Sequence, residues 1–277
     1  MRFKNVIPLL LALLGALLPP LARAQQPGVA ALSLRATYGD RGGDIPGDLV
    51  WRIYGVQGSD ISLVASSDQA RPSFVLPFGR YVVHVSHGLA ASMRELDVGG
   101  TGAVSTIPLN AGALTVTGHL GVTDRPIPPD RQKLQLFIAT ANNSEGRLVT
   151  DSLRPGSKLA LPEGTYHLVS TYSGSNSVVR TDVKIETAKI TEASVNHRAA
   201  TMTLKLVRET GGVAIAGVQW TVETPGGDIV AEAVGAFPTV EIAEGSYPVT
   251  ARLNDREFKG TMKVEGGQNR DFELVLE

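Results

Sequence analysis

Hydrophobic and polar side chains alternate along most of the chain after residue 28, and this period of two predicts β-strands. A run of this kind opens each of three successive segments, at Leu32, Leu34 and Ala36, at Leu114, Val116 and Gly118, and at Met202, Leu204 and Leu206. A single apolar face indicates antiparallel strands that are buried on one side. No stretch beyond the first 24 residues keeps the period of 3.6 that an amphipathic helix requires. The pattern therefore predicts an all-β protein.

The alternation belongs to a unit that occurs three times. Each copy contains a hexapeptide with glycine at its fourth and tyrosine at its sixth position: LPFGRY at 76–81, LPEGTY at 161–166 and IAEGSY at 242–247. The glycines Gly79, Gly164 and Gly245 lie 85 and then 81 residues apart, and a valine follows each of them by 19 residues. Spacings as regular as these predict tandem repeats of one structural unit.

Large side chains recur at matched positions of the repeat. An upstream strand in each copy carries an inward apolar residue, namely Trp51, Leu136 and Trp220. We interpret these as core residues rather than as carbohydrate-binding platforms, because aromatic residues make up only 5% of the chain. The tyrosines of the hexapeptides, Tyr81, Tyr166 and Tyr247, are predicted to form structural corners in which the hydroxyl group bonds to backbone.

These spacings divide the chain into three predicted β-sandwich modules of about seven strands each, at 28–111, 112–199 and 200–277. The segments that join the modules, 110–113 and 197–201, are short. Short joints predict modules that are held at limited angles to one another.

The order of features within the repeat resembles the carboxypeptidase regulatory-like or transthyretin-like β-sandwich. The features are a Gly/Pro-rich turn before a strand, the L-P-x-G-x-Y motif that opens another, and a closing strand; pilin B-type and starch-binding domains are similar. The resemblance covers nearly all of 28–277 and is weakest in the third module, where Ile242 and Ala243 replace Leu-Pro. It implies immunoglobulin-like modules that act without catalysis, as spacers, accessory modules or adhesive or ligand-binding units.

Pilin B-type domains can carry an isopeptide bond between a lysine of the first strand and an acceptor on the last. The resemblance would give these roles to Lys205 and Asp271 in the third module. Lys205 lies between two inward leucines, so we expect its side chain to face solvent, which argues against the bond.

The first residues predict export. Arg2 and Lys4 precede an apolar run that is too short to span a bilayer, and the sequence A-R-A at 22–24 fits a cleavage site. We expect a signal peptide at 1–24, a mature chain that begins at Gln25, and no stable membrane insertion after cleavage. The bacterial style of this signal favours the periplasm, with the cell surface as the alternative.

Composition narrows the possible chemistry. The chain has 26 Lys and Arg against 27 Asp and Glu, and no cysteine. Removal of the three basic residues in 1–24 leaves 23 against 27, a net charge of −4, which offers no attraction to nucleic acid or anionic lipid. The lack of cysteine excludes thiolate metal sites and thiol nucleophiles.

Candidate chemistry is sparse. The chain contains no nucleophile elbow, Walker loop or zinc-protease motif, so we predict neither an enzyme nor a cofactor. Asp40, Asp44 and Asp48 are weak calcium candidates, since a solvated turn uses the same residues. The candidate binding residues are two tyrosines outside the repeated corners and two residues of a polar loop, namely Tyr54, Tyr172, Ser175 and Asn176.

The sequence thus predicts a noncatalytic periplasmic envelope protein that acts as a scaffold or protein-interaction module, with an envelope protein as its partner. Two alternatives stay open. One is a module that binds glycan or peptidoglycan through loops at one end of a sandwich. The other is an adhesin subunit that is exported to the cell surface.

Overall fold

The structure of the protein is a computed structural model that describes residues 28–121, 125–140 and 143–276, with side chains from residue 146 onward in the last range. The predicted signal peptide at 1–24 lies outside the described residues.

The described residues form 22 strands and one short 3-10 helix. The first module contains β1 (Val29–Tyr38), β2 (Leu49–Gln57), β3 (Asp60–Ser67), β4 (Ser73–Pro77), β5 (Gly79–His87), β6 (Ala90–Val98) and β7 (Ala103–Leu109). The second contains β8 (Ala111–Leu120), β9 (Arg125–Pro126), a 3-10 helix (Pro129–Arg131), β10 (Gln132–Thr140), β11 (Asn143–Leu153), β12 (Lys158–Pro162), β13 (Gly164–Tyr172), β14 (Val178–Ile185) and β15 (Ile190–His197). The third contains β16 (Ala199–Val207), β17 (Gln219–Glu223), β18 (Ile229–Val234), β19 (Thr239–Ala243), β20 (Gly245–Leu253), β21 (Arg256–Val264) and β22 (Arg270–Val275).

Each module is built from two sheets with the same strand order. The three-stranded sheets are β4-β1-β7, β12-β8-β15 and β19-β16-β22, and the four-stranded sheets are β3-β2-β5-β6, β11-β10-β13-β14 and β18-β17-β20-β21. Within each three-stranded sheet, the first strand of the module is antiparallel to one neighbour and parallel to the last strand of the module. The prediction of an all-β chain of tandem sandwich modules is confirmed.

The cores lie between the two sheets of each module and form three separate clusters. Trp51, Leu136 and Trp220 are fully buried at their centres. The two indole N–H groups donate to backbone carbonyls, Trp51 to Gln69 at 3.0 Å and Trp220 to Gly235 at 3.2 Å. Both tryptophans therefore bury their rings without leaving a polar atom unpaired.

The repeated tyrosines close the turn that precedes their strands. The Tyr81 hydroxyl donates to the Pro77 carbonyl at 2.7 Å, and the Tyr166 hydroxyl donates to the Pro162 carbonyl at 2.9 Å. The third copy differs, because the Tyr247 hydroxyl accepts a hydrogen bond from a residue of the second module.

The hairpin between β13 and β14 departs from the even spacing of the repeat. Gly79 pairs with Val98 and Gly245 with Val264, each 19 residues later, but Gly164 pairs with Ile185 rather than with Val183. The reason is the turn at 173–176, which is two residues longer than the corresponding turns of the other modules. Equal spacing in the sequence therefore does not mean equal register.

The modules follow one another with a single residue between strands. Asn110 alone separates β7 from β8, and Arg198 alone separates β15 from β16. The predicted boundaries at 111/112 and 199/200 lie within two residues of these linkers. That each segment is an independent folding unit stays a prediction.

We expect Trp220→Ala to lower the free energy of unfolding of the third module by about 3–5 kcal/mol, because the change leaves a cavity in a closely packed core. Differential scanning calorimetry of the whole chain measures the effect. Phe237→Ala is the control, since this side chain is 58% exposed, and should change stability by about 0.5 kcal/mol or less. Equal losses from the two variants would contradict this account of the core.

Candidate functional site

The two junctions between modules share one backbone arrangement. The linker carbonyls accept hydrogen bonds from the residue that precedes the hexapeptide glycine of the next module. The Asn110 carbonyl accepts from the amide of Glu163 at 2.8 Å, and the Arg198 carbonyl accepts from the amide of Glu244 at 2.7 Å. Each linker is thereby fixed to the module that follows it.

The preceding module holds the same linkers from the other side. The carbonyl of Leu109 accepts from the amide of Gly39, and the carbonyl of His197 accepts from the amide of Gly121, both at 2.9 Å. Backbone hydrogen bonds on both sides of a one-residue linker restrict its φ and ψ angles. The junctions are therefore hydrogen-bonded continuations of the sheets rather than loose connections.

A hairpin of the preceding module also contacts the strand that ends at the next hexapeptide. In the first junction, the amide of Leu89 donates to the carbonyl of Ala160 at 2.9 Å. Gly88 has φ of +58°, and a Cβ there would lie 2.6 Å from the same carbonyl. Only glycine permits so close an approach in this backbone conformation.

The longer hairpin of the second module makes the corresponding contact through a side chain. The Asn176 Nδ2 donates to the Tyr247 hydroxyl at 3.2 Å, and its Oδ1 accepts from the amide of Ala243 at 2.8 Å. The two additional residues of the turn thus allow one asparagine to bond to both backbone and side chain of the third module.

An ion pair crosses the second junction beside this asparagine. Arg131, at the end of the 3-10 helix, donates from both Nη1 and Nη2 to the Glu241 carboxylate, the Nη1 bond being 3.1 Å long. Its Nη2 also donates to the carbonyl of Ser173 at 2.9 Å. Hydrogen bonding to Glu241 raises the pKa of the Arg131 guanidinium. Two parallel N–H donors fix the orientation of the carboxylate as well as its position.

Tyr172 lies beneath the ion pair and joins it to an apolar cluster. Its ring centroid is 4.8 Å from the Arg131 guanidinium carbon, and its hydroxyl donates to Glu241 at 3.3 Å. The ring packs with Leu120 and Ile127 of the second module and with Ala199 of the third. Burial, with the Glu241 charge as the second cause, raises the pKa of the Tyr172 phenol.

A buried chain of polar side chains continues from this cluster into the second module. His197 is completely buried, with Nε2 2.8 Å from the Ser170 hydroxyl and Nδ1 3.0 Å from the Ser177 hydroxyl. Gln132 donates to the same Ser170 hydroxyl at 2.9 Å. A neutral imidazole satisfies both contacts, one ring nitrogen donating and the other accepting. Burial lowers the pKa of His197, so the neutral form is favoured.

The binding residues proposed from the sequence fall in two different places. Tyr172 is 4% exposed and engaged in the second junction, so its ring does not lie on a free surface. Asn176 and Ser175 are in the same junction hairpin, where the Ser175 hydroxyl accepts from the amide of Ser177 at 2.9 Å. Tyr54 lies far from them, on the first module's four-stranded sheet. A ligand-binding role for these residues stays a prediction.

The acidic turn of the first module does not gather its carboxylates. Asp44 forms ion pairs with Arg71 and, at 3.8 Å, with Arg35. Among the described residues there is no group of three or more Asp, Glu, His or Cys side chains placed to hold a metal ion. The weak calcium candidates Asp40, Asp44 and Asp48 thus do not form a site in this part of the chain.

Lys205 and Asp271 lie side by side on β16 and β22. The Lys205 side chain lies on the outward face of its strand, as expected, and is 20% exposed there because it bonds to the Asp271 carboxylate. Hydrogen bonding between the two raises the pKa of Lys205 and lowers that of Asp271. Isopeptide formation needs an uncharged amine, whereas this arrangement stabilises the charged pair.

Sequence reasoning missed Arg131 and Glu241. Glu241 occupies the position that Val75 and Ala160 hold in the other modules, which is the one local signal of a special role. Arg131 lies 110 residues before it, and no repeat or spacing connects the two.

One known protein family matches the sequence of the third module. A family described as the Rhizobiales growth-associated tandem repeat domain matches residues 201–276, which correspond to β16–β22. No curated protein sequence matches the chain.

Solved structures that are similar to the chain include three bacterial proteins, each aligned over 90% of this chain. The Bacillus anthracis TIE protein has 17% identity and a TM-score of 0.28, and the chain spans about half (51%) of its length. A streptococcal ancillary pilin has 10% identity, a TM-score of 0.34 and 99% of its length covered. BcpA, the major pilin subunit of Bacillus cereus, has 13% identity, a TM-score of 0.25 and 100% of its length covered.

Within the described residues, no helix is both long enough and apolar enough to cross a membrane.

We expect Arg131 and Glu241 to stabilise the second junction together. A double-mutant cycle of Arg131→Ala and Glu241→Ala, measured by calorimetric unfolding, should give a coupling energy of about 1 kcal/mol, since the side chains are 37% and 25% exposed and partly screened. The Arg252 and Glu257 pair, which is more exposed and lies within one hairpin, is the control and should couple by about 0.3–0.5 kcal/mol. A coupling near zero across the junction would show that the ion pair is not structural.

Stability should fall on acidification because of His197. Its folded-state pKa is lowered from 6.5, so the unfolded chain binds more protons below about pH 6.5 and unfolding becomes more favourable, by at most about 1.4 kcal/mol per pH unit. His197→Gln should reduce the slope of melting temperature between about pH 7.5 and pH 5.5. The slope should not vanish, because burial also lowers the pKa of His84.

The control for this pH experiment is His87→Gln. The His87 ring contacts the Asp48 carbonyl at 3.1 Å and lies in the first module, away from the second junction. This variant keeps His197 and the second junction unchanged, so its slope of melting temperature against pH is the reference for His197→Gln. If His197→Gln gives the same slope as this reference, protonation of His197 does not govern acid stability.

Proposed function

We propose that the chain is a noncatalytic structural spacer or scaffold of the bacterial envelope, which holds binding partners at a fixed separation. The single observation that carries this proposal is the repeated junction. Both linkers are one residue long and are hydrogen-bonded to the modules on either side. An architecture of this kind is suited to keeping the two ends of a protein apart and in a defined orientation.

The chemistry of the second junction supports the same role. Its polar groups pair with one another: Arg131 with Glu241, Asn176 with Tyr247, and His197 with two serines. Paired polar groups at a partly buried junction restrict its motion. Catalytic groups, by contrast, are usually poised toward a cleft that a substrate can enter.

The location proposed for this role is outside the cytoplasm, on the basis of the leader expected at 1–24. The periplasm is our main proposal and the cell surface is the alternative. The pilin names of two of the similar structures agree with the alternative, but the proposal does not depend on them.

Distance measurements between the outer modules test the rigid junctions. Because the chain has no cysteine, Met93→Cys and Val234→Cys, both 71% exposed in the parent, can be spin-labelled specifically. We expect one narrow distance distribution from pulsed electron resonance. A Gly/Ser insertion of about six residues after Arg198 should broaden it by about 13 Å, the reach of such a linker.

The same insertion between Val213 and Ala214 is the matched control. Val213 is 89% exposed in a loop of the third module, so the narrow distribution should persist. A broad distribution in the parent chain would contradict the spacer proposal.

Crosslinking in envelope fractions of the native cell tests the role itself. The parent chain should recover one or two partners in near-stoichiometric amount, and the insertion after Arg198 should lose the simultaneous capture of both ends. Protease treatment of intact cells distinguishes the two locations, because only a surface-displayed chain is cleaved. Turnover of a substrate that depends on one cluster of residues would overturn the noncatalytic assignment.

A further inference from the structure

Arg35 and Arg71 lie side by side on the outer face of the first module's three-stranded sheet. Ser33 of β1 pairs with Ser73 of β4, and the backbone pairing continues one step further, where the Pro72 carbonyl accepts a hydrogen bond from β1 at 3.0 Å. This register brings Arg71 opposite Arg35. Like charges directly opposite each other on a sheet are destabilising, so the two guanidinium groups require a counter-ion.

Asp44 supplies one negative charge for these two guanidinium groups. Its carboxylate bonds to Nη2 of Arg71 and lies 3.8 Å from Nη1 of Arg35. A third arginine approaches from β6, where Arg94 donates from Nη1 to the carbonyl of Thr106, the cross-strand neighbour of Arg35, at 2.8 Å. Among the described residues Arg94 forms no ion pair. Arg35, Arg71 and Arg94, which we name the arginine cluster, thus carry three positive charges against the one negative charge of Asp44.

Most of the guanidinium donors in this cluster are unused. Within the described part of the chain, Arg35 donates from Nε to the Thr106 hydroxyl at 2.6 Å, and neither of its terminal nitrogens makes a hydrogen bond. Arg71 uses only Nη2 and Arg94 only Nη1. The side chains of Arg35 and Arg71 are 53% and 72% exposed. Each arginine therefore offers at least one terminal nitrogen to an acceptor that arrives from solvent.

The arginine cluster borders a depression in the same face of the sheet. The depression has a volume of about 230 Å³, room for about eight water molecules at about 30 Å³ each. Its lining includes Arg35 and Arg71, the hydroxyl groups of Ser33 and Ser73, and Val104. The two hydroxyl groups lie 3.3 Å apart in the row next to the arginines. A small group bound here can therefore contact guanidinium and hydroxyl donors together.

The first module alone has an excess of positive charge at this place. Val29, Ala111 and Ala199 are equivalent, because they pair with the last residues of β4, β12 and β19. The residues six positions later are therefore equivalent as well, namely Arg35, Thr117 and Lys205. The same count from the ends of β4, β12 and β19 matches Arg71 with Gly156 and Phe237. The second module thus has no charge here, and the third has a single cation.

The cation of the third module is neutralised within its own sheet. Lys205 bonds to the Asp271 carboxylate and lies opposite Glu273 on the parallel strand. In the first module, the corresponding neighbour of Arg35 is the uncharged Thr106. Two modules therefore form the same sheet without the arginines, so the cluster is not a requirement of the fold.

We propose that the arginine cluster, together with Ser33 and Ser73, binds an oxyanion group of a ligand, either a carboxylate or a phosphate. The guanidinium group presents a planar fork of donors that matches both oxyanions, and hydrogen bonds between charged partners are among the strongest. The mature chain expected from the sequence has a net charge of −4, so the attraction is local to this face. The site goes beyond the spacer role, because it gives the first module a ligand of its own.

Nuclear magnetic resonance of the whole chain with isotope-labelled arginine tests the site. The probes are inorganic phosphate, galacturonate as a carboxylate on a sugar ring, and galactose as its uncharged counterpart, all at one ionic strength set with chloride. We expect the Nε–H signals of Arg35 and Arg71 to shift with phosphate, galacturonate or both, with saturation below about 20 mM. Galactose should leave the signals in place. The oxyanion probe that binds more tightly identifies the ligand group as a phosphate or a carboxylate.

Substitutions separate the site from general attraction to charge. Arg35→Gln and Arg71→Gln should each weaken binding of the better probe about tenfold, the effect of losing one charge-assisted hydrogen bond. Arg35→Lys keeps the charge without the fork and should also bind less tightly than the parent chain. Arg252→Gln is the matched control and should leave the affinity unchanged. Arg252 is 57% exposed on a strand of the third module and bonds to Glu257 at 2.6 Å.

Two results would overturn the proposal. The absence of a saturable shift with either oxyanion up to about 20 mM shows that the cluster has no useful affinity for such groups. Equal weakening by Arg252→Gln and Arg71→Gln shows that the probes respond to overall charge. Melting temperatures distinguish lost binding from misfolding, and if Arg35→Gln melts early, Arg71→Gln decides, since Arg71 makes a single bond. These results are independent of whether the distance measurements show rigid junctions.

Discussion

The parallel pairing of the first and last strands determines how the molecule is assembled. In every module the last strand runs beside the first and in the same direction, so the chain enters at one end of the sandwich and leaves at the opposite end. A linker of one residue cannot turn the chain back. Successive modules must therefore join end to end, and the start of each is brought against the hairpins at the far end of its predecessor.

The two junctions hold the hairpin of one module against the next module with different side chains. The first relies on small residues, since Gly88 and Ala160 let backbones approach closely. The second has a longer hairpin, and Asn176 and the Arg131–Glu241 pair connect the two modules through side-chain hydrogen bonds. Direct backbone contact is insensitive to pH and salt, whereas the second junction contains a buried histidine and an ion pair. We expect acid to loosen the second junction before the first.

The internal comparison of modules is informative because the repeats act as controls for one another. A residue that is buried in two copies and exposed in the third marks a surface whose neighbour is missing among the described residues, as Val29 does against Ala111 and Ala199. A residue that is charged in one copy and apolar in the others marks a contact specific to that copy, as Glu241 does. Both inferences rest on strand register, which the hexapeptides fix only in part.

The sequence by itself determined the all-β fold, the threefold repeat and the inward positions of Trp51, Leu136 and Trp220, because alternation and recurrence are local properties of a strand. Only the tertiary structure decided the register of the β13–β14 hairpin, the pairing of Arg131 with Glu241 and the burial of Tyr172. These depend on the length of one turn and on contacts between residues far apart in the chain, and neither leaves a periodic trace in the sequence.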